Sequence, residues 1–474
     1  MVLISQSDEE STCEGPTSKY AQYTGVFTAT LAAFSIGTYL SWTSSALSLY
    51  NKNDTLSVSD QEGSWISSLV PLGAIPITIP AGLLADKFGR KRTIWAISVL
   101  LFLCWYIIGF AQNKIWIFLG RFVAGGASGA ASVVVPMFTS EIVEQSIRGL
   151  LGTIFQLQIA AGILFAYATA FTDSLHVIAI LCSVVPALLL ILFPFIPESP
   201  AWLVMQGRKD EANDVLKHFR GAHYRTETEL TRLELQASEM REAHKASIFD
   251  LRNYQKAICI TLGLMIFQQL SGVYTLIFYA KMIFDDAGST LIVSSSTSSV
   301  IVGTVQVVAT YCSTILIERV DKKLLLFISM SVMATCMFTL SGYFHFQNAH
   351  DLSSVSWIPL LSFTLFIAIF SIGFGPIPWL MVGELFTNNM KRTASAATAI
   401  CNWTLAFLVT KCFQDMIDLM GFSSSFATFG MISLIGTIFV STMVPETKGR
   451  NVEEIQIELY GTQISTLGER DPEI

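Results

Sequence analysis

The sequence predicts an all-α membrane protein whose twelve transmembrane helices form two pseudo-symmetric six-helix bundles, and three observations carry that prediction. The 474 residues are 52% hydrophobic and only 14% charged, with a mean hydropathy of +0.54, whereas soluble domains carry about 25% charged residues. Twelve apolar stretches reach the roughly 20 residues that a helix needs to cross a hydrocarbon core of ~30 Å. Short charged motifs also recur in the same order in the two halves of the chain.

The first bundle, residues 25–196, takes spans at 25–49, 64–85, 93–111, 115–139, 151–171 and 176–196. The second, residues 257–444, takes spans at 257–284, 293–317, 324–346, 357–384, 393–413 and 421–444. Tails at 1–24 and 445–474 flank them. Residues 1–19 are polar and acidic and lack a basic start before a short apolar core, so the first span is expected to be retained rather than cleaved. The linker, 197–256, holds ten Lys/Arg and ten Asp/Glu. Its segments RKDEANDVLKHF and ETELTRLELQASEMREAHK set opposite charges three or four residues apart, the pattern of exposed surface helices.

Lys and Arg divide unequally between the two sides, 22 against 4, and the richer side is expected to be cytoplasmic. That side takes both termini and the linker, and the expected location is the plasma membrane. Asn53-Asp54-Thr55 is a glycosylation sequon in the first external loop; Asn402-Trp403-Thr404 lies within a span and is expected to be silent. Cys104, Cys182, Cys259, Cys312, Cys336 and Cys401 sit in apolar stretches without metal spacing and read as packing residues. No metal or cofactor is expected, and without a basic stripe or tail no nucleic acid either.

The internal echo has three parts. Asp86-Lys-Phe-Gly-Arg90-Lys91 recurs as Glu318-Arg-Val-Asp-Lys322-Lys323, at an offset of 232. Glu141 with Arg148 recurs as Glu384 with Lys391, at 243, and Pro197-Glu198-Ser199 as Pro445-Glu446-Thr447, at 248. Parallel halves about a midplane site are a transporter arrangement.

Seven motifs sharpen this: DKFGRK at 86–91, GRFVAGGASG at 120–129 with Pro136 and Glu141, PESPAW at 197–202, QQLSG at 268–272, ERVDKK at 318–323, GPIPWLMVGELF at 375–386 and PETKGR at 445–450. In this order the chain resembles the sugar porters of the major facilitator superfamily, the group that includes animal facilitative glucose transporters and insect trehalose transporters. The resemblance runs from residue 25 to about 460. It implies the major facilitator fold and transport of a hexose or trehalose by alternating access. The expected partners are a small-molecule sugar and the lipid bilayer, and the expected working unit is a monomer. It further implies a gate of charges that bridge the halves when the cytoplasmic side is closed: Asp86, Arg90, Lys91, Arg121, Glu141, Arg148, Glu198, Glu318, Lys322, Glu384 and Lys391. Two positions depart from the family. Ala201 stands where an Arg is usual, which removes a partner from Glu198, and Asp321 replaces a Gly.

A sugar offers hydroxyls and a weakly apolar ring face, so its binder needs amides that donate and accept, and an aromatic platform. Polar groups in mid-span are costly unless they face a cavity. Gln156, Gln268, Gln269, Gln306 and Asn402 meet that description, with Trp379 and Trp403 as platforms, and the resemblance gives these positions to the central site. Tyr274 stands where the family commonly has Asn, Gln306 where mammalian transporters have Asn, Ser371 where they have Glu, and Phe374 where they have Pro. A narrower cavity is expected. Gly373, Gly375, Pro376 and Pro378 predict a helix break in span ten, read as a moving external gate. Gly125, Gly126, Ser128, Gly129 and Ala130 give span four a close-packing face.

Proton-coupled relatives usually carry an Asp in span one. Here span one has no acid, base or His, and Glu141 and Glu384 lie at span ends, so facilitated diffusion is favoured over proton-coupled symport of a sugar or polyol. Short tails disfavour a non-transporting sensor. No HExxH, Ser-His-Asp set, GxGxxG or Walker loop points to an enzyme.

Overall fold

The structure, a computed structural model, describes residues 18–50, 56–242, 254–288, 294–347, 349–450 and 452–460. The sequon at Asn53 lies outside the described residues. All regular structure among the described residues is helical. Spans one to six are Tyr20–Tyr50, Asp60–Phe88, Arg90–Gly109, Lys114–Ile142, Arg148–Thr169 and Leu175–Leu192. Spans eight and nine are Ser295–Arg319 and Lys322–Gln347.

Ten helical stretches are long and apolar enough to cross a membrane. The count reaches twelve for two reasons. Span one is a 31-residue helix whose Ser and Thr residues dilute its hydropathy. Spans eleven and twelve run as one helical element, Asn388–Met443, that reverses at Gly421, where φ is +76°. Only glycine takes that φ without strain. The reversal is visible in what each arm touches: Lys411 reaches Ser64 at the start of span two, whereas Ser423 donates to the carbonyl of Ser341 and Gly436 lies against Met330. Span twelve therefore runs antiparallel to span nine.

Spans seven and ten are both broken, and only the second break was expected. Span seven is Gln255–Leu270 followed by Val273–Asp286, parted at Gly272 with φ +88°. Span ten is Ile358–Ile372 followed by Ile377–Leu385.

Close backbone approach fastens the first bundle. A Cβ on Gly125 would collide with the carbonyl of Val70, and one on Gly73 with that of Phe122, so spans two and four touch main chain to main chain. Three surface helices, Pro200–Met205, Lys209–Arg220 and Glu227–Glu242, follow span six. Ala212, Leu216 and Phe219 form the buried face of the second one, at helical spacing. Arg220 is buried, pairs with Glu229 at 2.7 Å and donates to the carbonyl of Ile142 at 2.8 Å, which fixes these helices to the end of span four.

The end of the molecule that carries Arg90, Glu141, Lys322 and Glu384 is called the basic face below. Bonds between the two bundles gather at the other end. Gln61 donates to Asp415 at 2.5 Å, Lys411 donates to Ser64 at 3.0 Å, and Lys411 also lies 5.2 Å over the ring of Trp65. Lys281 donates its backbone N–H to Ser44 at 3.0 Å, and Tyr167 donates its hydroxyl to the carbonyl of Ile277 at 2.8 Å.

Candidate functional site

At the basic face the charges pair within each half. Arg90, almost wholly buried, grips Glu141 with Nε at 3.0 Å and Nη2 at 2.9 Å, and places Nη1 3.1 Å from Asp86. Ser199 donates a short hydrogen bond to the same Glu141. The two-pronged grip suits a guanidinium, whose planar fork matches a carboxylate. In the second half Lys322 forms the equivalent pair with Glu384.

The third part of the echo also has a structural counterpart. Glu198 accepts the backbone N–H of Lys91 at 3.0 Å and that of Ser199 at 2.9 Å. Glu446 accepts the backbone N–H groups of Lys322, Lys323, Thr447 and Lys448 at 2.9–3.2 Å. Partial burial opposes ionisation of Glu446, but those four amides outweigh it and hold the carboxyl below its ordinary range. Glu198 thus has main-chain partners where Ala201 denies it an arginine. Glu446 and Ser199 were absent from the gate read off the sequence, although the Pro-Glu-Ser/Thr echo pointed to both.

Four gate positions stand differently. The helix of span five starts at Arg148, whose side chain lies outside the described residues, but Glu318 comes within 3.7 Å of where a Cβ on the next residue, Gly149, would be, across the line between the bundles. Lys391 is exposed and folds over Gly383 at the end of span ten. Arg121 does not belong to this face at all. It sits seven residues past Lys114, at the other end of span four, fully buried in the first bundle. Its Nε donates to the carbonyl of Ile66 at 3.0 Å, Nη1 to that of Tyr39 at 2.6 Å and Nη2 to Thr43 at 2.8 Å, with Trp42 5.2 Å away under its charge. Position within a span, rather than residue type, misled the sequence reading here.

The break in span ten is braced from three neighbouring spans. Backbone groups freed at membrane depth must find partners. Pro376 has no N–H for the carbonyl of Ile372, and Ser313 of span eight donates to that carbonyl at 2.9 Å. Pro378 likewise leaves the carbonyl of Phe374, and Gln268 of span seven donates to it at 2.7 Å and to Gly375 at 3.0 Å. Ser329 of span nine accepts the N–H of Phe374 at 3.2 Å. Beyond the break, Ile377–Leu385 runs to the basic face, where Glu384 meets Lys322. At the other end, the broken-helix segment that bonds across the bundles is Val273–Asp286 of span seven.

Between the breaks lies a polar core. Asn402 of span eleven donates to Gln268 Oε1 at 2.9 Å, and Gln269 donates to the same oxygen at 3.3 Å. Gln268 is therefore fully engaged by protein. Two amide oxygens are not: Gln269 Oε1 and Gln306 Oε1 are buried and lack a hydrogen-bond partner among the described residues. Gln156 is half-buried in span five, Tyr274 is half-buried with its ring 5.9 Å from that of Phe278, and Trp403 is buried. Trp379 is 42% exposed on the short segment of span ten. Ser371 returns its hydroxyl to the carbonyl of Ile367 at 2.8 Å. The core brings Gln268, Gln269 and Asn402 into one bonded set; no hydrogen bond among the described residues joins Gln156, Gln306, Tyr274, Trp379 or Trp403 to it.

Comparison with known proteins gives consistent results. The family described as sugar (and other) transporters matches residues 22–459. The facilitated trehalose transporter Tret1 of Drosophila mojavensis is 37% identical over 448 residues, 93% of this chain and 52% of that protein. Tret1 of Polypedilum vanderplanki is 37% identical over 449 residues, 93% of this chain and 88% of that one. The chain thus spans about half the length of the Drosophila relatives and most of the length of the Polypedilum one. Among solved structures, the xylose transporter XylE from E. coli in a partially occluded inward-open conformation superposes with a TM-score of 0.76 at 22% identity, over 92% of this chain and all of that one. Its inward-open conformation gives 0.74 at 21% identity, over 92% and 99%.

Proposed function

The chain belongs to the sugar (and other) transporter family and has the major facilitator fold, and from that premise we propose that it carries a sugar across a membrane by alternating access, downhill and without a coupled proton. The observation that carries this reading is the pair of unpartnered amide oxygens, Gln269 Oε1 and Gln306 Oε1, buried in mid-span. A buried acceptor left unmade costs about 1–3 kcal/mol. Neutral hydroxyl donors meet that need, and an anionic solute does not. The bonded trio beside them leaves Gln269 as the amide with capacity to spare, so Gln269 and Gln306 are the sugar contacts, while Gln156, Tyr274, Asn402, Trp379 and Trp403 shape the space around them.

The basic face is cytoplasmic on this reading, in the plasma membrane, and a single chain is the working unit. Bonds across the bundles at the other face correspond to an inward-facing state. When the carrier turns outward, the pairs Arg90–Glu141 and Lys322–Glu384, with Arg148, Glu318 and Lys391, supply the charges that meet across the cytoplasmic side.

Passive exchange follows from Arg121. Its partners are two carbonyls and a hydroxyl, none of which titrates near neutral pH, so among the described residues this buried cation has no proton-carrying counter-ion to link to sugar binding. Trehalose leads the substrates, because the relatives named above are facilitated trehalose transporters; hexoses come next and polyols after. Uptake of radiolabelled trehalose, hexoses and polyols in oocytes, with and without a protonophore, tests the reading. Saturable uptake that stops at equal concentrations and ignores the protonophore is expected. Accumulation that collapses on uncoupling would replace facilitated diffusion with symport, and no uptake of any of these solutes would remove the sugar reading.

A further inference from the structure

A recess of about 460 Å3 opens on the first bundle at the basic face, away from the polar core between the halves. Its walls come from the start of span three, the end of span six and the first two surface helices, and its floor is mostly apolar. Three cations line it, Lys91, Arg92 and Arg208, against two acids. Both acids are already occupied: Glu198 by backbone amides, and Glu211 by Arg208, whose Nε and Nη2 reach its two oxygens at 2.7 and 2.5 Å. Lys91 turns its Nζ to the carbonyl of Pro194 at 2.6 Å. Arg92 is exposed and makes no ion pair among the described residues. The lining therefore holds an excess of one positive charge, concentrated on an arginine free to meet a ligand.

Trp95 stands three residues beyond Arg92, on the same strip of span three and one turn deeper in the membrane, and is 44% exposed. A cation at the water level with an aromatic ring one turn below it is the pattern by which helices anchor at a membrane interface. The strip continues as exposed apolar surface through Leu103 and Tyr106. A soluble anion gains nothing from such a floor, while an amphiphile gains from all of it.

We propose that this recess binds one anionic phospholipid from the leaflet at the basic face. Its phosphate lies on Arg92, its acidic head group on the Nη1 edge of Arg208 that Glu211 leaves unused, its glycerol on Trp95, and its acyl chains along the exposed strip of span three. Basic pockets among transmembrane helices hold acidic head groups in this way. The site is separate from the sugar core, so the proposal does not depend on which solute is carried.

Native mass spectrometry of the purified full chain, exchanged into mixtures of phosphatidylcholine and phosphatidylserine with identical acyl chains, is the test. The wild type is expected to retain one phosphatidylserine in preference to phosphatidylcholine. Arg92→Gln should reduce that retention roughly fivefold, the factor that one cation near the surface contributes, and Arg92→Gln with Arg208→Gln should reduce it further, since the second change also leaves Glu211 as an unpaired negative charge in the recess. Quenching by brominated phosphatidylserine, read as the part lost in Trp95→Phe, should fall in parallel, while unchanged elution and melting temperature report an intact fold. Equal retention of the two lipids by the wild type, or undiminished retention by the double variant, overturns the proposal. Displacement of phosphatidylserine by inorganic phosphate alone also overturns it, in favour of a soluble-anion site.

Discussion

Gln268 donates to the carbonyl of Phe374 at 2.7 Å, so the residue four positions before Gly272, where span seven breaks, holds a carbonyl that the break in span ten sets free. The breaks in spans seven and ten are thus joined by one amide, whose oxygen is tied in turn to Asn402 of span eleven. Gln268 bonds one break to the other, whereas Gln269 beside it keeps an acceptor without a partner among the described residues.

Substitution should separate these roles. Gln268→Leu strands the carbonyl of Phe374 and the amide of Asn402, each at about 1–3 kcal/mol, so it should lower the melting temperature and the maximal transport rate together. Gln269→Leu should chiefly raise KM, with little change in melting. Uptake kinetics with fluorescence-detected thermal unfolding would read both, and a Gln268→Leu protein of normal stability that shows only a KM change would sink the assignment.

Glu446 makes a prediction in pH. Its folded pKa is depressed below the ordinary value of 4.5 by four backbone amides acting against partial burial. The sign is that of a carboxylate preferred in its charged form by the folded state: its contribution is complete above the unfolded pKa and fades as pH falls through the folded one. Glu446→Gln should therefore melt earlier than the wild type at pH 7, and the gap should close only below about pH 4.5. A gap that is constant from pH 7 to pH 4, or that closes already at pH 6, would count against this account.

Arg121 should not tolerate lysine. Three donors set by one planar fork reach spans one and two at once, and an ammonium cannot reproduce that geometry. Arg121→Lys and Arg121→Gln should both destabilise, because each buried carbonyl or hydroxyl left without its donor costs about 1–3 kcal/mol. The exposed Arg92→Gln is the comparison, with almost no change expected. Yield of folded protein and melting temperature decide it, and a stable Arg121→Lys carrier would refute the claim.

At the face opposite the basic one, Lys411→Ala removes the contacts to Ser64 and the Trp65 ring that join the bundles. These contacts are partly exposed, so a small shift is expected, about two- to fivefold in the population of outward-facing carrier. A cysteine introduced at the buried Thr275 should then react faster with an impermeant maleimide added outside. An unchanged rate would mean that other contacts close this face.

Most of the architecture was legible because it rests on periodic, redundant signals. Spans of twenty apolar residues and a threefold echo of charged motifs do not depend on any single side chain. The pairing of Arg90 with Glu141 and of Lys322 with Glu384 was legible only as membership of one group, since a sequence spacing does not tell whether two charges meet inside a bundle or across the gap between bundles. The break at Gly272 escaped notice because one Ser-Gly step in an apolar run is a weak signal, whereas two Gly and two Pro in span ten are a strong one. Gln268 was read as a sugar contact because an amide in mid-span asks for a partner; that it also bonds a carbonyl orphaned by Pro378, over a hundred residues away, is not legible in the sequence.

Arg220, by holding the carbonyl of Ile142, makes the surface helices a pointer rigidly mounted on span four. Whatever tilt the first bundle undergoes is carried out into water by the helix of Arg220, on whose exposed face Lys217 lies. A pair of dyes, one on that face and one on the second bundle, would follow the working cycle from the aqueous side, with nothing foreign inserted along the path of the solute.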